Sequence, residues 1–206
     1  MHGLSAALLA LDYVCVVVFA VTGALAAARR RHDVITFLVF SVLTGVGGGT
    51  LRDLLIGAPV FWVHSGAYLL VGVAAALAVW IVGERAWRVS ALLWFDAIGV
   101  AAYAAIGAAK ALSYDVDPVV AVAICMVTAT SGGILRDVFA GEPSVLLRRE
   151  IYVTAALLSA TVFVISTQFS VDPWLAGSGA FAAGFILRAG AIVYGWTLPG
   201  FDTGNA

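Results

Sequence analysis

Two arginine–aspartate pairs, Arg52–Asp53 and Arg136–Asp137, stand 84 residues apart, each just downstream of a glycine cluster inside a long apolar run. The stretches read TGVGGGTLRD from Thr44 and TATSGGILRD from Thr128. Charges at membrane depth are costly, so they usually face a bundle interior or water and find partners there. The chemistry such residues can do is to line a path for an ion or a small polar solute. Arg52 and Asp53 point about 100° apart on a helix and are poor partners for each other. Each arginine is therefore expected to reach carbonyls or an acid of another helix, with Asp12, Asp96, Asp53 and Asp137 as candidates. The competing reading is that the arginines snorkel to the interface.

The glycines carry the second signal. One glycine inside a helix costs about 1 kcal/mol, and backbone freed by unwinding costs several more in lipid unless protein or water satisfies it. Gly45, Gly47, Gly48 and Gly49, with Gly132 and Gly133 in the second stretch, thus predict helix breaks facing a cavity. In a break, carbonyls near Leu43 and Thr44 are free to coordinate a cation, while the following half-helix presents N–H groups. The alternative is that the glycines let neighbouring helices approach closely. A third polar feature is a seam of Asp96, Tyr103 and Lys110 at a spacing of seven, flanked by Gly99 and Gly107. It covers roughly 20 Å of helix. Lys110, the only lysine, would repel cations unless neutralised, which makes it a gate or barrier, or else a side chain snorkelling at the helix end.

These residues need membrane helices to hold them. The chain has 206 residues, 63% hydrophobic and 11% charged, with a mean hydropathy of +1.05, well outside the range of soluble domains. About 20 apolar residues cross a hydrocarbon core of roughly 30 Å. Seven spans are expected: Leu8 to Ala28, Val34 to Ile56, Ala67 to Val82, Ala91 to Leu112, Pro118 to Ala140, Ile151 to Ser166, and Pro173 to Ile192. Continuous rather than alternating hydrophobicity excludes a β-barrel. The first span lacks a basic leader and is followed at once by RRRHD, so it does not read as a cleavable signal. Short loops leave no room for a soluble domain.

Arg29, Arg30, Arg31, Arg85, Arg88, Arg148, Arg149 and Arg188 collect on one side, and Asp115, Asp117 and Asp172 on the other. Basic loops stay cytoplasmic, which predicts an outside N-terminus and a cytoplasmic C-terminus. The net charge of −1 gives no indication of a nucleic-acid partner. Cys15 and Cys125 lie in separate spans and read as small apolar residues. His2, His32 and His64 are isolated, without metal-ligand spacing. No Ser/His/Asp or metal-ligand cluster lies at depth, which argues against an enzyme.

Set against itself at an offset of 84, the segment from Asp12 to Pro59 matches that from Asp96 to Pro143 at 15 of 48 positions without a gap. Thr44 meets Thr128, Gly48 and Gly49 meet Gly132 and Gly133, and Arg52 and Asp53 meet Arg136 and Asp137. Three spans separate each position from its mate, and an odd number of crossings reverses direction. The fold class expected is all-α, an inverted 3+3 repeat (about residues 8–83 and 91–167) plus a seventh helix (about 173–192), with a binding or conduction site at the midplane. Asp12, Phe19 and Ala26 answer the seam of Asp96, Tyr103 and Lys110, so any pathway is asymmetric. In the seventh span, AGSGAFAAG from Ala176 offers small residues for contact either within the protomer or with another copy.

The paired GVGGGTLRD and TSGGILRD motifs, the IGAAKAL stretch and the 3+3+1 arrangement resemble the trimeric intracellular cation channel family in its prokaryotic branch. The resemblance covers essentially the whole chain. It implies a homotrimer in a prokaryotic cell membrane, contacting lipid, with a pore for K⁺ and Na⁺ in each protomer between the repeats. The bent second and fifth helices would form its waist. Pore positions then fall on Gly47 to Gly49, Gly132, Gly133, Arg52, Lys110 and Arg136. Ser131 departs from this by standing where the first repeat has Gly47, which implies a tighter second break. The absence of an extended tail fits the prokaryotic branch. No cofactor is implied, and no metal beyond transient K⁺ or Na⁺. A similar bacterial set is described as glycine transporters, and inverted repeats with broken helices suit a carrier as well as a channel.

Overall fold

Three loop aspartates start helices. Asp33 accepts hydrogen bonds from the backbone N–H groups of Ile35 (2.9 Å) and Thr36 (3.0 Å). With the Thr36 N–H as the main cause, these bonds hold its carboxyl below the ordinary aspartate range. Asp117 caps through Val119 and Val120, and Asp172 through Trp174 and Leu175. Both are followed by proline at the first helical position, where its fixed φ suits the helix and its missing N–H is not needed. These acids therefore do a local job besides setting the charge of their loops.

The computed structural model describes residues 2–83, 87, 90–147 and 150–199, with side chains from residue 9 onward. Arg85, Arg88, Arg148 and Arg149, and the side chain of His2, lie outside the described residues. Within them are seven α-helices: α1 (His2–Arg29), α2 (Val34–Leu55), α3 (Ala67–Val82), α4 (Ala91–Ser113), α5 (Pro118–Phe139), α6 (Val153–Gln168) and α7 (Pro173–Tyr194). A 3₁₀ turn, Val145–Leu147, precedes α6. The helices follow the seven expected spans closely. Five are long and apolar enough to cross a membrane. The other two, α3 and α6, have 16 residues each, about 24 Å at 1.5 Å per residue.

Helix ends recur at the same offset of 84. Arg31 and Asp115 both adopt a left-handed φ, 54° and 56°, as do Gly57 and Gly141, 68° and 63°. The N–H of His32 donates to Ala27 O and that of Val116 to Ala111 O, at 3.2 and 3.3 Å. Such bonds satisfy carbonyls that the helix end leaves open.

The expected helix breaks do not occur. Both α2 and α5 run without interruption through their glycines. The glycines instead let the two helices cross at van der Waals distance, which is the packing alternative. A Cβ on Gly48 would run into the carbonyl oxygen of Thr128, and one on Gly132 would sit 2.7 Å from that of Thr44. The Thr44 carbonyl expected to be freed for a cation thus faces Gly132 of the opposite helix, a close approach of the kind that recurs between helices. Ser131 does not tighten a break either, because its hydroxyl bonds to Val127 O one turn back.

On α7 the small residues divide between two faces. Ala176, Ala180 and Gly184 are buried in the protomer, and a Cβ on Gly184 would lie 2.8 Å from Ser159 Cβ and 3.0 Å from Ala155 O. Gly177 and Gly179 meet only open space. Cys15 and Cys125 are buried free thiols, as apolar packing predicts.

Candidate functional site

Where α1, α2 and α4 meet, Arg52 is fully buried. Its Nε donates to Asp53 Oδ1 at 2.8 Å. Its Nη1 lies 3.5 Å from Asp12 Oδ1, an electrostatic contact rather than a hydrogen bond. The guanidinium is flanked by the rings of Phe61 and Tyr103, with centroids at 5.8 and 5.7 Å, a geometry in which ring faces attract the cation. Lys110 Nζ reaches the same Asp53 Oδ1 at 2.7 Å. The second Asp53 oxygen accepts the Phe61 N–H at 3.0 Å.

A second cluster forms where α4 and α5 meet. Arg136 Nη1 donates to Asp96 Oδ1 at 2.7 Å, and its Nε to Asp137 Oδ1 at 2.9 Å. Asp137 Oδ2 accepts the Val145 N–H at 2.9 Å. Val145 is the 84-residue mate of Phe61, so the two clusters share donors, acceptors and spacing.

Arg52 and Asp53 do pair, as do Arg136 and Asp137. The separation of about 100° applies at Cβ, but the three-methylene arginine arm folds back far enough for its Nε to meet the neighbouring carboxylate. Partners on other helices are also present: Asp12 and Asp96 are reached as expected. Snorkelling fails for both arginines, since neither emerges from the protein interior.

The clusters differ in two ways. The residue answering Lys110 is Ala26, so only the first carries an ammonium. The second instead opens on a cavity of about 150 Å³, whose lining includes Ala26, Arg29, Arg30, Asp96, Arg136, Asp137 and Arg188. Between the clusters lie the glycine crossing, Tyr103 and Phe19. The Tyr103 hydroxyl occupies the space a Cβ on Gly49 would need, at 2.6 Å, and Phe19 does the same at Gly99, at 2.9 Å. Thr44 and Thr128 are buried beside the crossing. Thr128 is tied to Ile124 O by its own hydroxyl at 2.7 Å.

All the expected charged residues are therefore gathered into two sites. Gly45 is placed elsewhere, packing α2 against Val16 and Ala20 of α1. Sequence reasoning missed Arg188, read as part of the basic side. It is 2% exposed and donates to Glu150 Oε2 at 2.8 Å and Ile151 O at 3.2 Å. Its guanidinium lies 5.2 Å from the Tyr152 ring centroid. Tyr68 and Tyr152 were also missed, both buried and 84 residues apart. Extending the self-comparison past Pro59 would have found them.

A family model described as Glycine transporter matches residues 9–84 and again 93–168, two segments with the same offset of 84. The UPF0126 inner membrane protein YadS of Escherichia coli K12 is 35% identical over 195 residues, 93% of this chain and 94% of that protein. The solved trimeric intracellular cation channel orthologue from Rhodobacter sphaeroides is 44% identical, covering 92% of this chain and 99% of its own, with a TM-score of 0.89. A further solved TRIC cation channel is 32% identical over 95% of this chain and 98% of its own, with a TM-score of 0.82.

Proposed function

The chain belongs to the prokaryotic branch of the trimeric intracellular cation channel family, and on that premise we propose that it conducts monovalent cations, K⁺ and Na⁺, through a pore inside each protomer of a homotrimer. The observation that carries this reading is the pair of buried charge clusters, repeated at 84 residues and set on either side of the α2–α5 glycine crossing. Buried ionisable groups of this kind mark ion pathways. The path runs between two inverted repeats, about residues 8–83 and 91–167. It enters through the cavity at Asp96, Arg136 and Asp137, passes Phe19, Tyr103 and the crossing, and leaves past Lys110 and Asp53. Lys110 acts as a barrier rather than a ligand, since its ammonium must leave Asp53 or be screened for a cation to pass. The N-terminus is outside and Arg29 to Arg31 are cytoplasmic, in a prokaryotic cell membrane.

The description of the matching family model favours a second reading, a carrier of glycine. Proteoliposomes separate the two. A channel gives K⁺ efflux, followed with a K⁺-sensitive dye, that added glycine leaves unchanged, and Lys110→Ala speeds it. Saturable uptake of labelled glycine without K⁺ efflux would establish the carrier instead.

A further inference from the structure

Tyr68 and Tyr152 are mates at the offset of 84, and both are buried, yet different partners hold them. The Tyr68 ring stacks on Tyr13, with centroids 4.0 Å apart and planes 8° from parallel, and meets Phe61 edge-on at 4.6 Å. The mates of Tyr13 and Phe61 are Ala97 and Val145, neither of which carries a ring. Over Tyr152 lies the guanidinium of Arg188 instead, 5.2 Å from the ring centroid. Arg188 belongs to α7, the helix without a counterpart in the first repeat. Its Nη groups are fixed by Glu150 Oε2 and Ile151 O, and Glu150 is bridged in antiparallel fashion to Thr197, beyond the end of α7. Left-handed Gly195 (φ 68°) turns the chain there, and the Trp196 ring takes the space that a Cβ on Gly190 would need. Tyr152 in turn stands at the second charge cluster. Its hydroxyl, Asp96 Oδ1 and Arg136 Nη2 converge on Gly133, where a Cβ would lie 2.6, 3.4 and 3.6 Å from them.

We propose that Arg188 is a positioning residue for this cluster: it holds Tyr152 beside the Asp96–Arg136 pair, in the role that Tyr13 and Phe61 play for Tyr68, and through Glu150 it ties that position to the segment after α7. The two holds differ in kind. Stacked and edge-on rings hold Tyr68 by contact, whereas a guanidinium holds Tyr152 by attraction of a charge to a ring face. Whatever draws Arg188 away from the ring releases Tyr152, and the first repeat has no such release. Once Tyr152 leaves Gly133, Arg136 and Asp96 have room to change partners, so Arg188 sets how readily the cavity end of the protomer rearranges. The seventh helix thereby acts on one end of the path alone. The effect on current rests on the channel reading; the hold on Tyr152 does not.

The test is a double-mutant cycle on the full-length protein, first by thermal unfolding in detergent and then by open probability in planar bilayers. Arg188→Met keeps much of the length of the arm and removes the charge; Tyr152→Leu removes the ring. If Arg188 acts through Tyr152, the losses of melting temperature are coupled, so the double variant melts close to the less stable single one. Arg188→Lys, which keeps a cation over the ring, should recover at least half of the loss. In bilayers Arg188→Met should change open probability several-fold, Glu150→Gln should change it in the same direction, and Arg188→Met should add nothing in the Tyr152→Leu background. Additive losses of melting temperature would overturn the hold on Tyr152, whatever the currents do. Coupled losses with an open probability that Arg188→Met leaves unmoved would overturn the positioning role. Coupled losses in a protein that passes no current at all would keep the hold and remove the channel reading. Should Arg188→Met fail to fold, Arg188→Lys against Tyr152→Leu completes the same cycle.

Discussion

Arg136 neutralises two carboxylates by itself, whereas Arg52 shares that task with Lys110. Arg136→Ala therefore leaves Asp96 and Asp137 buried without a cation, a loss of about 3–5 kcal/mol for a broken buried pair. Arg52→Ala leaves Lys110 on Asp53, so its melting temperature should fall less. Thermal unfolding of both variants checks this, and an equal or larger loss for Arg52→Ala would contradict the division of charge. The buried role of these residues was legible in the sequence, because an arginine in a membrane-length apolar run needs a partner. Which partner was not legible. Contacts between neighbours along the chain depend on how a long side chain folds back, and the Phe61 and Val145 donors depend on the turn after each helix. The burial of Arg188 was missed for a related reason: near a helix end a buried arginine and a snorkelling one have the same sequence signature.

Among the helices, the crossing of α2 and α5 decides how the halves meet. Gly48→Ala puts a methyl group against the Thr128 carbonyl, which is backbone and cannot swing away. It should cost about 1–3 kcal/mol, as overpacking does. Gly177→Ala, on the open face of α7, should leave stability unchanged. Comparing the two melting temperatures separates a packing role for the crossing glycine from simple helix propensity, which would make both substitutions stabilising. Span positions were readable because apolar length alone sets them. The helix breaks were misread because glycine lowers helix propensity in isolation, while the partner that makes glycine necessary here lies 84 residues away. The same offset in the sequence, with Thr44 and Thr128 four residues before Gly48 and Gly132, is the pattern of two helices touching at matched points.

For the whole molecule, the repeat explains why loops, caps and charge clusters come in pairs, and position 26 against position 110 is where the pairing fails. The proposed topology has its own test. In a background without Cys15 and Cys125, a cysteine at Asp115 should react with a membrane-impermeant thiol reagent added outside intact cells, and one at Arg31 only after lysis. The reverse pattern would invert the pore direction without affecting its residues. The most direct measurement is of current through purified protein in a planar bilayer under a KCl gradient, with glycine added afterwards. A cation pore in each protomer predicts discrete unitary steps reversing toward the K⁺ equilibrium potential and unaffected by glycine. A bilayer that stays silent, while the same preparation takes up glycine saturably into liposomes, would contradict it.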